Sequence, residues 1–289
     1  MRMSIRILPA LLIAASLVSF AACGGGGDDA TSFSNQGGED YSDLLVSDAG
    51  EALGKSAEEL KEEVQSVHGD FSFKMAAGQF DVSASGDFAY QAPDRMHMTM
   101  DLSTGGVAEL SGLGRLEMLL FGDQLYMHTD ATGWVRGSLA DLGADSEQLK
   151  SLMSEHAPFD YSSLVKDAAD VHNLGDEQIG GVKYTHLRVK IDLQEALKSL
   201  EGLGNNVPFS ASEPLTMDFW VDPHTLLPRK LVANGSLDLG DVPGVSGPLT
   251  LEIVMNFREY NGSVEIPSPP ADAKPFQDAF GGVNPLSGY

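Results

Sequence analysis

Between residues 71 and 257 the chain repeatedly alternates apolar and polar positions. Phe71, Phe73 and Met75 are apolar at every second place, as are Phe80, Val82 and Ala84, with Phe88 and Tyr90 continuing beyond Gly86. Side chains two apart share one face of an extended strand, so each run predicts a strand with one apolar and one polar side. Residues 95–102, RMHMTMDL, set Met96, Met98, Met100 and Leu102 against Arg95, His97, Thr99 and Asp101. Leu116, Met118 and Leu120 mark the next strand, Gly122-Asp123 a turn, and Leu125 and Met127 the strand after it, with Trp134-Val135 following Thr132-Gly133. In the second half, 171–179 is a weaker strand and Thr185, Leu187, Val189 and Ile191 alternate cleanly. Three further runs are the clearest: Leu215, Met217, Phe219 and Val221; Leu226 to Leu237; and Leu249, Leu251, Ile253, Met255 and Phe257. Short alternating runs joined by Gly, Pro and Asp turns predict antiparallel meanders.

A helical period replaces this pattern in four places. Residues 50–67 place Ala57, Leu60, Val64 and Val67 at helical spacing, and Ser56 with Glu59 reads as a capping box that starts the helix. Residues 146–156 carry Leu149, Leu152 and Met153 on one side and end at Pro158, while 160–171 and 193–204 are further short helices. The stretch IPSPPADAKP is extended and stiffened by proline. Strands dominate, which gives an α+β fold: an antiparallel sheet with helices covering one face.

The first residues are not part of that fold. MRMSIR supplies a positive start, ILPALLIAASLV an apolar run and SFAAC small residues before a cut, the layout of a secretory signal. Cys23, the one cysteine, follows directly, so no disulfide can form within the chain. Residues 24–43 are rich in Gly, Ser and Asp and read as a flexible tether. Loss of residues 1–22 leaves 16 basic against 42 acidic residues, a formal charge of −26. Such a surface repels nucleic acid and anionic headgroups and favours neutral or cationic partners.

Catalytic motifs are missing from the sequence. There is no G-x-S-x-G elbow, phosphate loop, dinucleotide fingerprint or EF-hand loop. Seven dispersed histidines include no H-x-H or H-E-x-x-H, so no metal and no cofactor is expected. His97 and His128 sit in strands and could meet in space, where ordinary structural histidines are the simpler reading. An enzyme would need a site assembled only in three dimensions.

The stretch DFWVDPHTLLPRKL, residues 218–231, has the W-x-D-x-x-T-x-x-P layout of Trp220, Asp222, Thr225 and Pro228. It resembles a hairpin of the LolA-like lipoprotein carriers and the LppX/LprG-like lipoproteins. Gly86, Phe88, Tyr90 and Pro93, the segment FGDQLYMHTDATGW, the segment GGVKYTHLRVKID and the tail VEIPSPPADA resemble other landmarks of that group, in the same order. Cys23 resembles the lipidated cysteine of a bacterial lipobox, with Phe20 where Leu is usual. The resemblance implies a strongly curved, open half-barrel whose concave face is covered by helices around an apolar cavity for acyl chains. It implies no catalytic residue. The expected divisions are 1–22 signal peptide, 23–49 lipidated cysteine and tether, 50–270 lipid-binding domain and 271–289 tail.

The methionines fit two readings. Met suits a soft wall around a ligand of variable shape, and it also fills ordinary cores. Phe73, Met75, Phe80, Met96, Met98, Met100, Met118, Leu120, Met127, Met217, Phe219, Ile253 and Met255 are the candidates for a cavity wall. The leading expectation is an exported lipoprotein, anchored on the extracytoplasmic face of a membrane, that binds a lipid or acylated molecule without chemistry. The alternative is the same fold acting as an interaction or sensor module for an envelope protein partner, with a filled core. Acyl chains on Cys23 would provide stable anchoring at about 0.8 kcal/mol per buried CH₂. In a bacterial host the full chain is therefore expected to partition into the detergent phase of a cloud-point extraction. The Cys23→Ala protein is expected in the aqueous phase.

Overall fold

The computed structural model describes residues 40–78, 80–105, 114–138, 161, 168–192, 214–238 and 247–279. Strands β1 (Ser66–Ala77), β2 (Phe80–Gln91), β3 (Arg95–Gly105), β4 (Arg115–Phe121), β5 (Gln124–Thr129) and β6 (Gly133–Ser138) form one antiparallel meander. Strands β7 (Ala168–Ile179), β8 (Val182–Ile191), β9 (Leu215–Val221), β10 (Pro228–Leu237) and β11 (Leu249–Tyr260) form a second. The two lie side by side through the β1–β11 ladder, and the two-residue strand β12 (Lys274–Pro275) adds in parallel to β6. Among the described residues this makes one sheet of order β12-β6-β5-β4-β3-β2-β1-β11-β10-β9-β8-β7. The sheet is open, because its two ends are not hydrogen-bonded to each other, and it is consistent with the expected half-barrel.

Pairing register carries the sequence alternation across all the strands. Leu187, Phe219, Leu231, Met255 and Phe71 are successive partners, and so are Val189, Met217, Ala233, Ile253 and Phe73. Residues directly opposite in an antiparallel pair lie on the same face, so each apolar set continues its neighbour's. The opposite face is polar and tied by charged groups. Asp218 accepts from Arg188 Nε at 2.8 Å and Nη2 at 3.2 Å and lies 2.8 Å from His186 Nε2. Trp220 stacks on His186 at 4.3 Å and donates its indole N–H to Glu177 at 2.7 Å.

Two helices precede the sheet: α1 (Ser42–Ser47) and α2 (Ala49–Glu62). Ala52, Leu53, Ser56, Ala57 and Leu60 are buried, a stripe with the spacing of one helix face. This stripe and the apolar face of the sheet belong to one hydrophobic cluster. A four-residue helix, α3 (Phe276–Ala279), follows β12.

Several expectations need correction. The helix does not start at Ser56. Asp48 caps it eight residues earlier, accepting from the Glu51 N–H at 2.9 Å, and leaves Ser56 in mid-helix. It also stops before Val64 and Val67, because Glu63 is its C-cap and Ser66 opens β1. Packing begins inside the stretch assigned to the tether: Leu45 of α1 is fully buried and the Tyr41 N–H donates to the Pro223 carbonyl. Residues 168–171, expected to be helical, belong to β7. Leu226, expected in a strand, closes the turn after β9 with φ 57° and a fully buried side chain. The expected helices at 146–156 and 193–204, and the signal segment with Cys23, lie outside the described residues.

Gly86 shows how closely two strands approach. A Cβ there would lie 1.8 Å from the Thr99 carbonyl oxygen of β3. Gly86→Ala must therefore push β2 and β3 apart, and overpacking of this kind costs about 1–3 kcal/mol. The expected outcome is a lower urea midpoint with an unchanged slope.

Candidate functional site

Every sequence-chosen wall candidate whose side chain is described shares the apolar face by register. Phe73, Met75, Met217, Phe219, Ile253 and Met255 lie on the β1, β11 and β9 side. Met96, Met98, Met100, Met118, Leu120 and Met127 lie on β3, β4 and β5. Phe80 is in β2, opposite Ala77, and its side chain lies outside the described part.

The two sides differ in cover. On the β8–β1 side the sheet shares one hydrophobic cluster with the α2 stripe, and Leu53, Leu60, Phe71, Leu187 and Val221 have no exposed surface. Tyr161 is the one described residue of the connection between β6 and β7. Its ring rests 4.9 Å from Phe219, and its hydroxyl meets Ser56 Oγ at 2.5 Å. Ser56 also donates to the Leu226 carbonyl. These bonds explain why a serine stands on the apolar stripe of α2: it satisfies a turn carbonyl that the helix would otherwise leave buried and unpaired.

On the β2–β6 side the apolar residues form cross-strand rows. One row is Phe88, Met98, Met118, Met127 and Val135, and a second is Tyr90, Met96, Leu120, Leu125 and Gly137. A third pairs Met100 with Leu116, next to Leu102 on the same strand. Met100, Leu102, Leu116, Met118 and Met127 are only half-buried. Here the apolar face is partly exposed, and three of these five side chains are the flexible, unbranched thioether.

The polar face holds two concavities. One of about 390 Å³ is bordered by Ser72, Ser83, Ser85, Ser103, Lys74, Asp101 and Glu252. The other, about 300 Å³, is bordered by His68, His97, Asp87, Thr99 and Glu265. His97 and His128 do come to the same neighbourhood, on either side of Glu117. His97 bonds Glu117 at 2.9 Å, and His128 stands opposite it in register. Among the described residues no group of three or more His, Cys, Asp or Glu is placed to hold a metal. No helix among them is long and apolar enough to cross a membrane.

Sequence reading missed the ladder of His186, Asp218, Glu177 and Trp220. The signal was available for His186, Asp218 and Trp220, which alternate with Leu187, Met217 and Phe219, and which meet Glu177 of β7 across the strands. Glu177 is held below the usual carboxylate range, chiefly by the Trp220 N–H and then by His186.

At the lower end of the apolar face Tyr260 donates to the Pro228 carbonyl at 2.7 Å. Burial pushes its phenol well above the ordinary value of 10.0 and also raises Tyr90 and Tyr184. A phenol that ionises later in the folded than in the unfolded chain contributes stability below pH 10.0, and that contribution is lost as pH rises further. Melting temperature is therefore expected to decline above about pH 10. Tyr260→Phe should start lower at neutral pH, from the unpaired carbonyl, and decline less steeply in alkali.

No family model and no curated protein matches the chain. Among solved structures it is similar to the lipoprotein LppX of Mycobacterium tuberculosis, at 14% identity and TM-score 0.45, over 76% of this chain and 98% of that one. It is similar to LprF of Mycobacterium bovis at 14% and 0.43, over 76% and 96%. It is also similar to a LolA superfamily protein of Nitrosomonas europaea at 12% and 0.26, over 76% and 94%. These neighbours are of the kinds that the sequence motifs resemble.

Proposed function

We propose that the chain is an exported, lipid-anchored protein that binds a lipid or acylated molecule on the methionine-rich part of its apolar face, and carries or senses it without chemistry. The observation that supports this is the unequal cover of one continuous apolar face. The β8–β1 side is closely packed in one cluster with α2 and Tyr161, whereas Met100, Leu116, Met118 and Met127 stay half-buried in a contiguous strip. A soluble protein has little reason to leave such a strip reachable unless something apolar lies on it. In this reading the sheet curves around the ligand, helices cover its concave side, and the Met side chains repack around chains of different length. Burial of the ligand provides the driving force, at about 25 cal/mol per Å². Specificity is loose because no charged group of the strip selects a headgroup.

A second reading is favoured by the closely packed β8–β1 side. In that reading the apolar face is core, and the domain works through an envelope protein partner. Titration of the delipidated protein with a fluorescent fatty acid separates the two. The first reading expects saturable binding at micromolar protein. It also expects at least tenfold weakening in Met118→Asp, which puts a charge in the strip, and no change in Ser85→Asp on the polar face. Absence of saturable binding, together with no lipid co-purifying in mass spectra, would favour the second.

A further inference from the structure

Phe276 occupies a position that the cavity reading does not use. The tail pairs with the β6 edge through Lys274 opposite Val135 and Pro275 opposite Arg136, which brings the next residue to Gly137. A Cβ on Gly137 would lie 2.1 Å from Phe276 Cδ2 and 2.7 Å from Cε2, so the ring rests in the space that the missing side chain leaves. Gly137 is the β6 member of the row Tyr90, Met96, Leu120 and Leu125, so it belongs to the apolar face. Phe276 itself packs against the hydrophobic cluster. A tail that only protected the sheet edge would need its backbone and Pro275. It would not need an aromatic ring turned onto the apolar face over a glycine.

We infer that Phe276 is the end wall of the apolar strip and sets the length of acyl chain the protein accepts. The inference rests on the lipid-binding reading above. From β2 to β6 the row that ends at Gly137 crosses four strand spacings, roughly 19 Å. With C–C bonds of about 1.5 Å, an extended chain advances roughly 1.25 Å per carbon, so about 15 carbons fill that span. Each methylene that fits raises affinity roughly fourfold. One that meets the Phe276 ring adds nothing or costs affinity.

The test is displacement of a fluorescent fatty acid from the delipidated full-length protein by straight-chain saturated fatty acids of graded length. The wild-type protein should bind more tightly with each carbon up to an optimum, then level or weaken. Phe276→Ala should move that optimum longer by roughly two to four carbons. Phe276→Trp should move it shorter. Opposite shifts from two variants at one position cannot come from loss of folding, and the tryptophan variant keeps the test open if the alanine variant is unstable. Saturable binding with the same optimum in all three proteins overturns the end-wall role and leaves the lipid-binding reading standing. Failure of the wild-type protein to bind any length overturns both.

Discussion

An open sheet cannot hide its own apolar face, and the rest of this structure is arranged around that constraint. Closed barrels bury one face by curling onto themselves, and sandwiches bury it against a second sheet. Here twelve strands among the described residues stay open. Other segments join its hydrophobic cluster: the stripe of α2 from the N-terminal side, Tyr161 from the connection between the meanders, and Phe276 from the C-terminal side. Each brings a polar or backbone fastening with it. Ser56 binds a turn carbonyl, Tyr161 binds Ser56, and β12 pairs with the edge of β6.

Much of the fold could be read from alternation alone. Strand positions and the composition of the apolar face followed from period two, because a residue's face is fixed by its place in an extended run. The helix boundaries were harder to read. Asp48 and Ser56 are both good caps followed three residues later by Glu, and sequence pattern does not say which one faces water. Burial decided it, since the Ser56 hydroxyl has a tertiary partner 170 residues away in Leu226. The same holds for Val64 and Val67. Both continue a helical spacing, but Val67 pairs with Tyr260 in β1 and Val64 lies between the helix and that strand.

The proposed strip was only half legible. Its residues could be named, because Met98, Met118 and Met127 each sit on the apolar parity of their strands. Their succession across three neighbouring strands depends on register, which is a property of pairs and not of single runs. The seating of Phe276 on Gly137 was out of reach for the same reason. A glycine in a short strand has many explanations until the ring above it is placed. On the polar face Asp218 and His186 are nearly buried, among Trp220, Arg188 and Glu177. A strongly acidic chain thus spends part of its charge on internal pairing rather than on its surface.

The join between β1 and β11 carries a consequence for how the molecule is made. Within each meander neighbouring strands are close in sequence, but Phe71 meets Met255 and Phe73 meets Ile253. A chain that emerges from its N-terminus completes β1 to β6 while the partner of β1 has yet to appear. Through that interval one flank of β1 offers unsatisfied amides and carbonyls to any passing strand, the circumstance in which β-rich chains mispair and clump. Contacts of such long separation also form slowly, because the entropy of closing the intervening chain must be overcome first. Biogenesis of this protein is thus most exposed to error in the waiting time before its last long strand arrives, and a holding chaperone would matter most then.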